Sequence, residues 1–161
     1  MKIIMPIGIS GSGKTRLYKM RYSDLTLVSP DLIRKEMTGD ISDQSKNREV
    51  FQEVDRRVKE LVRNDESFFY DATNLNPDLR KRFVNKFRGK DNIKIVYVVL
   101  PADMMVSRQR IMDDLGNKVE RAKVPSEVLA RQYGMYRSSI KSKFEGENVQ
   151  EIIYIQPGEL D

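Results

Sequence analysis

Gly8-Ile9-Ser10-Gly11-Ser12-Gly13-Lys14-Thr15 decides the fold. The stretch satisfies G-x-x-x-x-G-K-[ST] at every position. An apolar run, Lys2 to Ile7, precedes it, and a segment with helical character follows from about Gly13 to Tyr22. Strand, glycine-rich turn and helix in that order form a phosphate cradle. Glycines let the backbone curl so that successive N–H groups face inward. The helix N-terminus adds partial positive charge. Gly8, Ser10, Gly11, Ser12 and Gly13 are thus expected to surround nucleotide phosphates, with Lys14 on the β- and γ-phosphates and the Thr15 hydroxyl on Mg²⁺. ATP and Mg²⁺ are the implied donor and metal. The motif alone does not separate kinase, ATPase and GTPase, although the guanine-specific N-K-x-D tetrad is absent.

Outward from the loop, apolar runs alternate with amphipathic segments. That pattern predicts an α/β chain with a mostly parallel sheet. Strands are expected at Lys2–Ile7, Thr26–Val28, Ser67–Tyr70, Ile93–Leu100 and Ile152–Ile155. Ser29-Pro30 signals a helix start, with serine as cap and proline in the first turn. Further helices are expected over 49–64, from Asn76-Pro77 to about Phe87, over 102–112 and over 125–142. On the 49–64 helix, Val50, Phe51, Val54, Val58, Leu61 and Val62 are expected to share the buried face. The fold class is a P-loop NTPase fold, a small doubly wound sheet with helices on both faces and a helical lid. Residues 1–161 are expected to make one domain.

Composition narrows the chemistry. There is no cysteine, which removes disulfides, zinc–thiolate sites and thiol nucleophiles. There is no histidine, so any general base is a carboxylate and any metal is held by oxygen, which favours Mg²⁺. A net charge of +5 suits a polyanionic partner, although many soluble domains are mildly basic. The apolar N-terminus is too short for a signal peptide or a membrane span. No membrane association and a cytoplasmic location are expected.

Three further stretches carry candidate chemistry. Asp31 lies just past the second strand, and Arg34 follows one helical turn later on the same face. Ligands of open α/β sheets sit outside the carboxyl ends of the strands, so Asp31 is placed to meet an acceptor hydroxyl. Arg34 could hold an acceptor phosphate or the Asp31 carboxylate. The plainer alternative is a first-turn acid satisfying the helix dipole. Asp71 ends the apolar run Phe68-Phe69-Tyr70, as a metal-directed acid does. Thr73 and Asn74 after it can bond substrate or brace the loop. Residues 107–125 are polar and carry both signs, including Arg108, Arg110 and Arg121. Between two helices such a segment reads as a lid that excludes water, with an arginine for transition-state charge, or as a solvated linker.

The order G-x-S-G-S-G-K-T, then D-x-x-R, then D-A-T-N-L-N-P, then a lid ending in Val124-Pro125 resembles the kinase domain of the bacteriophage-type 5′-polynucleotide kinases. These sit within the wider zeta-toxin-like P-loop kinase group, and the likeness spans nearly the whole chain. It implies that Asp31 is the general base, that Arg34 binds the acceptor's phosphate, and that Arg121 is the lid arginine, with Arg108 the second candidate on the donor. It implies a nucleic-acid 5′ end as acceptor and, for a phage-encoded chain, a host-cytoplasmic setting. The acid here stands three before Asn74, an offset that varies among relatives, and the lid is longer by Asp113-Asp114-Leu115-Gly116-Asn117. The D-x-D-G-T phosphatase motif is absent, so no 3′-phosphatase activity is expected.

Arg56, Arg57, Lys59 and Arg63 could line an acceptor channel or form a solvated helix face. Tyr133 and Tyr136 could stack bases or pack in the core. Two other functions stay open: a small-molecule kinase on the same scaffold, and a nucleotide switch that works through a partner. Strand preference, DNA against RNA, and a homo-oligomeric state are not legible.

Overall fold

The computed structural model describes residues 1–161. The sheet has five strands, β1 (Lys2–Ile7), β2 (Thr26–Val28), β3 (Phe68–Tyr70), β4 (Lys94–Val99) and β5 (Glu151–Tyr154). Six helices connect them: α1 (Lys14–Arg21), α2 (Pro30–Thr38), α3 (Asn47–Arg63), α4 (Pro77–Asn85), α5 (Met104–Gly116) and α6 (Ser126–Ser142). All four strand pairings are parallel, in the order β2-β3-β1-β4-β5. This is the doubly wound P-loop kinase-like fold that the sequence predicts.

Parallel strands need cover on both faces, and each face here has its own core. Ile3, Met5 and Ile7 alternate to one side, into a cluster of 21 buried residues that includes Val50, Val54 and Val58 of α3, Phe83 and Val84 of α4 and Leu129 of α6. Ile4 points the other way, into a smaller cluster with Leu17 of α1, Phe69, Val98 and Leu100. Each such aliphatic or aromatic side chain contributes about 1.5–3 kcal/mol by leaving water. On α3 the expected face is too wide by one residue. Phe51 is 49% exposed, because the four-residue spacing of Val50, Val54 and Val58 leaves it on the flank.

The strand order reverses direction around β1 and β3. Chain leaving β1 goes outward to β2, returns to β3, and then crosses to β4 on the far side. Such a switch point opens a crevice above the strand ends. Local signals deliver the chain to it. The Ser29 side chain accepts from Leu32 N–H at 3.3 Å and Pro30 takes the first turn, so α2 starts immediately after β2. The Asn76 side chain accepts from the N–H groups of Asp78 and Leu79 and starts α4 in the same way. α1 has no side-chain cap at all, and its first N–H groups stay open toward the crevice. α5 continues past Met112 to Gly116, so much of the segment expected as a polar lid is helix, and 117–125 forms the connecting loop.

Candidate active site

The loop between β1 and α1 is wound by close approaches. A Cβ on Gly8 would lie 2.4 Å from Ser12 Oγ, and one on Gly11, whose φ is +75°, would lie 2.7 Å from the Ser107 carbonyl oxygen. Only glycine fits at Gly11, while at Gly8 any larger residue would have to displace the Ser12 hydroxyl. Gly8 N–H donates to the Thr73 carbonyl at 3.2 Å, and Ser12 N–H to the Ile9 carbonyl at 3.1 Å. The N–H groups of Gly11, Gly13, Lys14 and Thr15 find no acceptor within the protein. Lys14 Nζ donates to the carbonyls of Ile9 (2.9 Å) and Gly8 (3.3 Å). Its pKa is lowered to about 8, first by burial of the ammonium and then by Arg121, while Asp71 and Asp31 act the other way. Open N–H donors, an uncapped helix start and a half-buried ammonium fit a triphosphate.

Two carboxylates share this end of the sheet. Asp71 is half-buried after β3, and its N–H donates to the Val28 carbonyl at 2.8 Å. Burial raises its pKa, and Asp31 adds to the rise. Lys14 and the Ser29 hydroxyl oppose it. Asp31 is exposed at the first turn of α2, and Arg34 NH1 donates to its Oδ1 at 2.7 Å. Arg34 itself is buried, and its Nε and NH2 donate to Asn47 Oδ1 at 3.2 and 3.0 Å. Of the two partners open to Arg34 in the sequence, the structure shows the carboxylate. No cluster of three or more acidic side chains marks a metal cage. Thr15 and Asp71 are oxygen-bearing side chains beside the phosphate cradle, of the kind that suits Mg²⁺.

Asn74 braces this loop. Its φ is +54°, and its Nδ2 donates to the carbonyls of Pro6 (2.8 Å), Ala72 (3.1 Å) and Tyr70 (3.4 Å), so it staples the end of β3 to β1. Behind it lies a device that sequence reasoning missed. Arg80 and Glu147 form a fully buried two-pronged pair, Nε–Oε1 at 2.7 Å and NH2–Oε2 at 2.8 Å. Tyr97 OH donates to the same Glu147 at 2.7 Å, and Arg80 NH1 donates to the Asn74 carbonyl at 2.9 Å. One of three consecutive cations in an amphipathic helix, Arg80-Lys81-Arg82, and a glutamate 67 residues later give no local signal.

The lid arginines divide by helix face. Arg108 is exposed on α5. Arg110 NH1 instead donates to the Gly11 carbonyl at 3.2 Å, a contact the sequence reading did not single out. The spacing of Ser107, Arg110 and Ile111 on one face could have pointed to it. Arg121 lies among the 117–125 loop residues, near enough to depress Lys14. Its NH1 donates to Asp114 Oδ2 at 2.6 Å, while its Nε is buried without a partner. The loop is tied across the crevice by a Lys35–Glu120 ion pair and by Lys123 N–H on Ser42 Oγ at 3.1 Å. On α3, Arg56, Arg57 and Lys59 are engaged in ion pairs with Glu53, Glu60, Glu36 and Asp55. Tyr136 OH donates to the Leu100 carbonyl at 2.7 Å, which assigns this ring to packing.

A parallel five-stranded sheet with this loop at its switch point defines a P-loop kinase-like domain. A family model described as an AAA domain matches residues 3–138, and the chain belongs to that family. No curated protein matches the sequence. Among solved structures, a chain of the Pnkp1/Rnl/Hen1 RNA repair complex is 21% identical with a TM-score of 0.74. The match covers 91% of this chain and 47% of that one, so the present chain spans about half its length. A candidate kinase from Chloroflexus aurantiacus is 12% identical with a TM-score of 0.68, covering 96% and 86%. A gluconokinase from Sinorhizobium meliloti is 17% identical with a TM-score of 0.55, covering 96% and 81%. At these identities the likeness shows the shared fold. No helix is long and apolar enough to cross a membrane.

Proposed function

We propose that the protein is an ATP-dependent phosphotransferase that phosphorylates the 5′-hydroxyl of a nucleic acid. The observation that carries this reading is the Asp31–Arg34 pair, 2.7 Å apart, at the strand end adjoining Lys14 and Asp71. Phosphoryl transfer has a loose transition state, so positioning and charge neutralisation do most of the catalysis. Lys14 and the open N–H groups of Gly11, Gly13 and Thr15 hold the donor phosphates. Mg²⁺, taken up through Thr15 with Asp71 nearby, would supply charge neutralisation on the phosphates. Asp31 orients the acceptor hydroxyl and accepts its proton late in the transfer. Arg34, pinned by Asn47, keeps that carboxylate aimed. Arg121, with an unpaired Nε, has a donor to spare for the transferring group.

The resemblance to 5′-polynucleotide kinases and the fold shared with the RNA repair chain support a nucleic-acid acceptor. One observation favours a small-molecule acceptor instead. Three of the four α3 cations that could line an acceptor channel are neutralised by neighbouring acids. The test is label transfer from γ-labelled ATP with Mg²⁺ to oligonucleotides bearing a 5′-hydroxyl or a 5′-phosphate. Label on 5′-hydroxyl strands alone, reduced about a hundredfold or more in Asp31→Asn, is the expected result. Bound ATP with no transfer to any DNA or RNA strand overturns the nucleic-acid reading in favour of a small acceptor.

A further inference from the structure

Besides the N–H groups of Gly8 and Ser12, which donate to backbone carbonyls, the loop carries open N–H groups and one held by a side chain. Those of Gly11, Gly13, Lys14 and Thr15 have no partner in the protein. The N–H of Ser10 donates to Gln132 Oε1 at 2.8 Å, across 122 residues of chain. Gln132 sits on α6, and the neighbouring turns of that face are fixed. Leu129 is buried in the larger core, and Tyr136 OH donates to the Leu100 carbonyl at the end of β4. Gln132 is therefore presented from a rigid support. A glutamine carbonyl can accept this bond, whereas an apolar residue there would leave a half-buried peptide N–H unpaired.

We propose that Gln132 is a positioning residue of the nucleotide site, holding the leading edge of the P-loop in its phosphate-ready shape before ATP arrives. The proposal rests on the loop being a triphosphate cradle and is independent of which acceptor is phosphorylated. Ser10 stands where the chain has left β1 and not yet reached Gly11, whose left-handed turn aims the open donors. No side chain other than Gln132 bonds a backbone N–H in this loop. Releasing it lets the turn sample shapes in which the N–H groups diverge, and ATP must then order the loop on binding. α6 also follows directly from the 117–125 loop that carries Arg121, so the same bond ties the cradle to the base of the lid.

The test compares full-length Gln132→Met, which keeps the bulk and loses the acceptor, with Gln132→Ala and Gln132→Glu. Ser10 amide exchange followed by NMR without nucleotide is expected to quicken about tenfold in the methionine and alanine variants. It should stay slow in Gln132→Glu, because a carboxylate accepts the same bond. Affinity for ATP is expected to fall about threefold to tenfold in Gln132→Met, with its thermal midpoint close to the parent's. Unchanged Ser10 exchange in both variants lacking the acceptor, or ATP affinity within about twofold of the parent in Gln132→Met, overturns the proposal. Neither readout needs an acceptor. A failure to phosphorylate 5′-hydroxyls would sink the nucleic-acid reading while leaving Gln132's role standing.

Discussion

Two ion pairs flank the P-loop in opposite ways. Beneath it, Arg80 and Glu147 are sealed, at 1% and 2% side-chain exposure, with every prong engaged. Across it, Lys35 and Glu120 join α2 to the lid loop at 48% and 47% exposure. The difference separates floor from lid. A dry pair is hard to break once made, because either charge left alone in the core is strongly destabilised. A wet pair re-forms easily and contributes little. The floor holds Asn74, and through it the ends of β1 and β3, in one arrangement. The 117–125 loop is held by exposed contacts that contribute little.

The largest effect is expected from breaking the floor. Glu147→Ala strands the Arg80 guanidinium in the core and should cost about 3–5 kcal/mol in urea unfolding. Arg80→Met combined with Glu147→Leu should recover most of that loss. A single-variant cost below about 1 kcal/mol would mean the pair is not the brace described.

Lys14, between floor and lid, gives a smaller, pH-dependent effect. Its folded pKa, about 8, lies below the ordinary lysine value of 10.5, so between those values the unfolded chain binds more protons. The cost of burying the charge is fully present below pH 8 and is relieved as pH rises toward 10.5. Lys14→Met should therefore melt above the parent at pH 7, and this advantage should shrink by pH 10. A gap that does not change with pH contradicts a desolvated, charged Lys14.

The smallest effect belongs to the lid pair. Glu120→Gln should change stability by less than about 1 kcal/mol. Because the pair is exposed, added salt should erase its effect while sparing Arg80–Glu147. A salt-resistant loss in Glu120→Gln would move the lid into the same class as the floor.

Most of the strands and helices were legible within a residue or two. Ser29-Pro30 and Asn76-Pro77 cap helices by bonds to the next two or three residues, and such short-range chemistry survives any tertiary context. The same holds for the loop glycines, whose backbone requirements are local. The side-chain partners of the site were less legible. Asp31 and Arg34 stood out as neighbours on a helix, yet nothing in the sequence said that Asn47 would fix the arginine. Among the lid arginines the sequence favoured Arg121 and Arg108, while the face of α5 puts Arg110 on the P-loop and Arg108 in solvent.

By itself the sequence determined the sheet, its helices and the phosphate cradle. Periodicity, caps and glycines act over a few residues, and each has one low-energy outcome. Tertiary structure alone decided that Arg80 meets Glu147, that Gln132 reaches Ser10, and that Lys14 lies close enough to Asp31, Asp71 and Arg121 for each to act on its charge. Those meetings join residues many turns apart. They depend on which helix face the packed core turns inward, which no local run of residues encodes.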